Sequence, residues 1–360
     1  MVKNKIMSIF NNNYKRQGKI GLFDNQEASE RLSKMGNPLE KINAVIDFEF
    51  FRTSLESKLL NNAKKNNAGA KPFDVVMMFK ILILQRYFGL GDSQVEFQII
   101  DRISFKNFLG LETGDKVPDE KTVWLFRENL TNSGLIPLLF NQFIEFLEDK
   151  NLILNEGKMV DASFTIAPRQ RNTKDENAKI KKGEGGDLWN DNTNKKKHKD
   201  IDARWTKKNG ETFYGYKNHA KVDTKSKIIN TYIVTDASVH DSQALESLLD
   251  EKDKGQNFYA DSAYTGQKQE EIIGKFNLVN KVHEKGYRGN PLTEEQKENN
   301  KEKSKIRARV EHVFGFMEQS MNGLTLKSIG IKRATGIIGL VNLTYNLFRF
   351  EQIKRLKLTF

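Results

Sequence analysis

Cysteine is absent from the chain, which excludes disulfides, thiolate nucleophiles and cysteine-ligated zinc. Histidine is scarce: five residues are scattered at 198, 219, 240, 283 and 312, so metal chemistry served by oxygen ligands alone suits the chain best. The opening stretch MVKNKIMSIFNNNYKRQ has no apolar centre and no cleavage signal. Nor does any uninterrupted apolar run approach the ~18 residues needed to span a bilayer. The best stretch, 336–348, is broken by Asn342, Thr344 and Asn346. The cytoplasm is the expected compartment, with no membrane partner.

What is present is basic. The 360 residues carry a net charge of +12 and a pI of about 9.4. A surplus of that size favours a polyanionic partner, nucleic acid before membrane, with plain solubility as the alternative. The length allows one large or two ordinary domains, and 38% hydrophobic residues supply a core.

Residues 1–35 are polar and Asn/Lys-rich, which predicts a mobile basic arm. From Pro38 the apolar spacing turns helical, and the stretch FDVVMMFKILILQRYFGL is apolar on most faces, as a buried helix should be. Short helices follow at SQVEFQIIDR, SFKNFLGL and EKTVWLFRENL, the last opened by Pro118-Asp119. Short helices with tight turns admit a helix-turn-helix reader, with Lys121, Thr122 and Arg127 on the recognition helix, or an ordinary bundle. After an amphipathic helix near 135–151 the pattern changes. A strand over 152–167 leads into a basic loop, 169–211, containing KKKHK, which reads as a mobile, DNA-gripping segment or a solvated insertion. A hairpin, a helix, a strand at NFYAD, a helix, another strand and a long helix over 301–321 follow, then an amphipathic helix over 332–354.

Strand, hairpin, helix, strand, helix, strand, helix is the element order of a ribonuclease-H-like fold. That predicts an α/β domain, a mixed sheet with helices on both faces, preceded by an all-α N-terminal region. Its crossovers set the first and fourth core strands side by side. Three acids occupy telling places on it: Asp161 in KMVDASFT, Asp261 in NFYADSAYTG and Glu311 in KIRARVEHVFGFM. Each alone is an ordinary surface acid, but two strand carboxylates plus one on a late helix can hold two divalent cations for phosphodiester chemistry. Arg307 lies one turn before Glu311. It either meets DNA phosphate, holds Glu311, or makes a surface i,i+4 pair worth ~0.3–0.5 kcal/mol.

These segments resemble the DDE transposases of bacterial insertion sequences, specifically the insertion-sequence-5 family. The blocks that carry the resemblance are KPFDVVMMFKILILQRYFGL, VPDEKTVWLFR, VDASFTIAPRQR, DARWTKKNGETFYGYKNHAKVD, ASVHDSQALESLL, YADSAYTG, RARVEHVFGFMEQ and NLTYNLFRF. The resemblance implies a triad of Asp161, Asp261 and Glu311 holding two Mg²⁺ (Mn²⁺ as substitute). It also implies double-stranded DNA as partner, element ends and target alike, and a bacterial, nucleoid-associated protein. Relatives carry Tyr, two residues, Arg, three residues, Glu, six residues, Lys on the Glu helix. Here Arg307 and Glu311 match, while Ser304 and Glu318 stand at the Tyr and Lys positions. A carboxylate at 318 would repel phosphate.

Three smaller expectations complete the reading. Trp205, beside Lys207 and Lys208, suits stacking on an unpaired base or packing on the hairpin. In ASVHDS, Asp241 reads as a helix N-cap and His240 as a residue behind the metals. Synapsis of two ends predicts a homodimer on DNA. The expected divisions are an arm over 1–35, a helical DNA-binding region over 36–150, the catalytic domain over 151–325 and a C-terminal helix within 326–360 packing on it. Two other functions fit the same residues: a nuclease that cuts without transposing, and a catalytically inactive sequence-specific DNA-binding protein.

Overall fold

The structure, a computed structural model, describes residues 21, 23–59, 71–208, 210–321 and 325–358. The expected arm therefore lies outside the described residues up to 20. Its last third is a correction, because α1 (Asp24–Lys34) is helical, with Asp24 and Glu27 in the first turn and Arg31 and Lys34 in the last, as the helix dipole prefers.

Helices α2 (Pro38–Val45), α3 (Arg52–Leu59) and α4 (Val75–Tyr87) follow. The Asp74 carboxylate starts α4 by accepting the Val76 and Met77 amides, and nine of its residues are buried. Next come α5 (Asp92–Asp101), α6 (Ile103–Leu109), α7 (Glu120–Asn132) and α8 (Leu135–Asp149). Among the described residues before the sheet, helices are thus the only regular elements.

The sheet opens with β1 (Gly157–Ile166). The segment expected to be a mobile basic loop is folded, which is a second correction. It forms α9 (Lys174–Lys181), α10 (Thr193–Lys197) and β2 (Arg204–Lys208). Few apolar residues anchor it, and polar ones do the rest. Buried Asp200 accepts the Tyr216 hydroxyl at 2.8 Å and the Ala203 amide at 2.9 Å. Glu176 takes the Trp189 indole N–H at 2.6 Å and the Lys195 ammonium at 2.8 Å. Lys196 and Lys199 of the basic cluster likewise donate to neighbouring oxygens.

After β3 (Glu211–Asp223) and β4 (Ile229–Asp236) come α11 (Leu245–Leu248), β5 (Asn257–Tyr259), α12 (Gln267–Lys275) and β6 (Val279–Asn280). Strand order is β4-β3-β1-β5-β6, with β2 extending the β4 side of β3. β3 is antiparallel to its neighbours, whereas β1, β5 and β6 run parallel, so the sheet is mixed as expected of the ribonuclease-H-like class. The crossover places β1 directly beside β5.

Both faces are covered. Val160, Phe258, Leu245 and Ile272 form a core under α11 and α12. On the other face Met159, Ala220 and Val222 join one continuous core with α13 (Glu294–Gly315), α14 (Ile331–Arg355) and the N-terminal helices. α14 is therefore not amphipathic, a third correction, and it packs on the N-terminal helices as well as on the sheet. Two of the three residues that broke its apolar run, Asn342 and Asn346, are its ties to the sheet, while Thr344 donates to the Leu340 carbonyl within the helix. The Asn342 and Asn218 amides exchange hydrogen bonds at 2.8 and 3.1 Å, and Asn346 pairs with both backbone groups of Ile229. No helix among the described residues is long and apolar enough to cross a membrane.

α14 approaches its neighbours through glycine. A Cβ at Gly339 would collide with the buried Tyr232 hydroxyl and stand 2.9 Å from Ile136. In an exposed helix Gly→Ala stabilises by ~1 kcal/mol. Here the sign reverses: Gly339→Ala is expected to destabilise by about 1–3 kcal/mol, read as a lowered urea midpoint at unchanged slope.

Candidate active site

Strand register builds the centre of the site. β1 and β5 are parallel, with Met159 opposite Tyr259. Continuing both chains by two residues keeps the face and sets Asp161 beside Asp261. Asp261 has just left its strand, and its carboxylate caps the short turn Ser262–Tyr264 by accepting the Ala263 amide at 2.9 Å. Asp161 accepts the Ala162 amide at 2.8 Å.

Glu311 comes from α13, which lies against β1 and β5 with Val310 and Val313 buried. Its side chain is 57% exposed. Arg307, one turn earlier, joins the elements: one guanidinium nitrogen donates to Glu311 at 2.6 Å and another to Asp161 at 3.3 Å. Arg307 thus holds the Glu311 carboxylate and reaches Asp161 as well. Among the described residues no three His, Asp or Glu side chains converge on one metal position, since the guanidinium stands between Asp161 and Glu311.

Electrostatics follow from burial. The Asp161 carboxyl is pushed up to about 6, first by loss of water and then by the Asp261 charge, against the opposing pull of the Ala162 amide, Arg307 and Lys208. Tyr264 is fully buried, its hydroxyl has no partner among the described residues, and burial followed by Asp161, Asp241 and Asp261 pushes its ionisation well up. A buried carboxyl stripped of water, with a second carboxylate beside it and an orphaned hydroxyl close by, fits a divalent cation. Asp161, Asp261 and Glu311 are the groups that would hold it.

An open groove of about 480 Å³ runs from Glu311 along the second half of β1. Lys208 lines it, as do Phe164 and Phe213, whose rings stack at 4.3 Å, and Glu318. Glu318 lies in a wider π-turn over Phe316–Ser320 that follows α13. Lys208 is thus brought to the acids. Lys207 is exposed on the same strand, and Trp205, 42% exposed, leans on Tyr214 with Arg169 5.8 Å from its ring.

The helical region gives a mixed outcome. Lys121 is exposed and Thr122 half-buried in the first turn of α7, where Asp119 accepts the Thr122 amide. Arg127 is turned inwards instead: 5% exposed, it grips both Asp92 oxygens at 2.6 and 2.7 Å and locks α7 against α5. It is not presented to a ligand. Capping is also reassigned. His240, not Asp241, is the N-cap, accepting the Ser242 amide, and it makes no hydrogen bond to the three acids. Asp241 instead holds buried Lys217 at 2.8 Å. The Lys217–Asp241 pair and Tyr264 were missed. The signal for the first was the alternation Lys217, His219, Lys221 within a β-prone stretch, a polar row that needs partners if the strand is buried.

Comparison with known proteins adds two family models and one solved structure. A family model described as transposase DDE domain matches residues 160–347, which include all three acids. A second, transposase domain (DUF772), matches residues 26–129. Among solved structures, the cryo-EM structure of the piggyBac transposase synaptic complex with hairpin DNA is similar at 10% identity and a TM-score of 0.45. It covers 91% of this chain and 78% of that one.

Proposed function

This chain belongs to the transposase DDE domain family and is a DDE transposase, and from that premise we propose that it is an insertion-sequence-5-type enzyme acting at the terminal inverted repeats of its own element. The observation that carries the proposal is the register that sets Asp161 beside Asp261, with Glu311 tied to Asp161 on β1 through Arg307. Both family models are transposase models, and together they span the helical region and the sheet.

In this reading Asp161, Asp261 and Glu311 hold two Mg²⁺. The metal, when bound, supplies Lewis-acid charge and an acidified water. The chain's own residues do the positioning. Burial of Asp161 keeps its charge unscreened, Arg307 fixes the carboxylate orientations, and Lys208 draws phosphate into the groove. Water oxygen attacks the phosphorus at the element end, the P–O3′ bond breaks, and the departing oxygen takes a proton to become a 3′-hydroxyl. That hydroxyl then attacks a target phosphodiester, displacing the target's own 3′-oxygen. A homodimer holding two ends on DNA, on the bacterial nucleoid, completes the proposal. The test is a duplex carrying the terminal repeats mixed with supercoiled target: joined product from true ends, and none from shuffled ends, is expected.

Glu318 favours a second reading, a nuclease that cuts without joining, because its carboxylate lines the same groove as Glu311. Replacing a repelling charge with an attracting one is worth about one phosphate contact or more. Glu318→Lys is therefore expected to tighten end binding about tenfold and steepen its salt dependence, measured by fluorescence anisotropy across a salt series.

A further inference from the structure

A second basic concavity lies away from the acids. It is a pocket of about 310 Å³ between α2, the end of α4, the β3–β4 turn, α13 and the C-terminal half of α14. Lys41, Lys227 and Arg349 line it beside His312, and none of these three cations has a carboxylate within 4.0 Å among the described residues. The one acid in its wall, Glu351, is already engaged by Arg355 at 2.6 Å. Like charges held together without counter-ions are unfavourable unless an anion joins them.

The wall is built to hold that arrangement. Lys227 adopts φ +59°, a conformation that costs a residue with a Cβ and is ordinarily left to Gly or Asn. Tyr345 secures it by donating to the Lys227 carbonyl at 3.0 Å, and Arg349 donates to the Ser226 carbonyl at 2.7 Å. The Lys227 ammonium then reaches His312 Nδ1 at 2.9 Å. Partial burial, and next the charges of Arg349 and Arg309, lower its proton affinity. The floor is aromatic, with Tyr87 stacked on Phe348 at 3.7 Å. Tyr345, Phe348 and Arg349 belong to the NLTYNLFRF block and make no contact with the three acids.

We propose that this pocket binds backbone phosphate of a DNA tract separate from the one being cut. The inference rests on the transposase reading and adds a second DNA contact to it. DNA is favoured over a free phosphate because the charge does not stop at the pocket. Lys354 and Lys357 continue it over the surface at the end of α14, a strip that matches a polyanion rather than a point ligand. α13 carries both sites, with His312 adjacent in sequence to Glu311, so a tract gripped here is referenced to the catalytic groove by one rigid element.

The test uses full-length protein and a labelled duplex carrying the terminal repeats with long flanks. Lys227→Asn removes the charge and tolerates the backbone angle, while Lys41→Gln removes a charge from a different element. Each is expected to weaken binding about tenfold and reduce the slope of log affinity against log salt by about one. Nicking at saturating protein should be unchanged, as should the thermal midpoint. Wild-type affinity and slope in both variants would overturn the pocket's role. Loss of inorganic-phosphate stabilisation with unaltered DNA binding would make it a free-anion site and overturn the DNA assignment. A wild-type protein without salt-dependent DNA binding would sink the transposase reading itself, and this inference with it.

Discussion

Asp161→Asn is expected to abolish cleavage while making the protein more stable. Removing a charge that supplies ~4 kcal/mol of transition-state stabilisation lowers the rate by ~10³-fold. The stability change has the opposite sign. In the folded chain the Asp161 carboxyl holds its proton to about pH 6, whereas in the unfolded chain it releases it near pH 4. The folded state therefore binds the extra proton between those values, and its stability falls as pH rises through the window. At pH 7 that loss is on the order of 2–3 kcal/mol, partly offset in the variant by the missing Arg307 contact. A neutral asparagine escapes it. Calorimetry at pH 7 should show a higher midpoint for the variant, and the gap should close towards pH 4. The same proton predicts wild-type cleavage rising with pH about a midpoint near 6, and that midpoint should move down as Mg²⁺ concentration is raised, because cation and proton compete for one carboxylate.

Arg307→Ala is the second large effect. The guanidinium orients two carboxylates from different elements and also neutralises them. Losing the orientation is expected to cost about 100-fold in cleavage at saturating Mg²⁺. Losing the neutralising charge should lower the Mg²⁺ concentration for half-maximal activity, since the cation no longer competes with an internal one. A purely structural role would reduce activity without shifting that concentration. Arg307→Lys restores charge but not the fork, and it should recover the Mg²⁺ requirement more than the rate.

How much of this was legible in the chain depends on the kind of force involved. The three acids stood out because each sits at a recognisable place, after a β-prone run or within a helical segment. The Arg307–Glu311 pair followed from helical spacing. Its third partner did not, because Asp161 is 146 residues away and only the sheet brings it there. Hydropathy failed wherever polar groups do the packing. The 169–211 segment looked mobile because its anchors are Asp200, Glu176 and Trp189 rather than an apolar stripe. α14 looked amphipathic because Asn342 and Asn346 read as surface residues, though they are buried and paired. Arg127 looked available for DNA because nothing local announces Asp92 as its partner.

The central claim is that Asp161, Asp261 and Glu311 form one metal-dependent phosphodiester site. The measurement that bears on it most directly is end nicking by the purified chain, on a duplex carrying its own element ends, in Mg²⁺ or in EDTA, beside Glu311→Ala. The account predicts nicking at the true ends that requires both the metal and Glu311. Nicking that persists in EDTA or in the variant, or tight end binding with no cleavage under any condition, would contradict it.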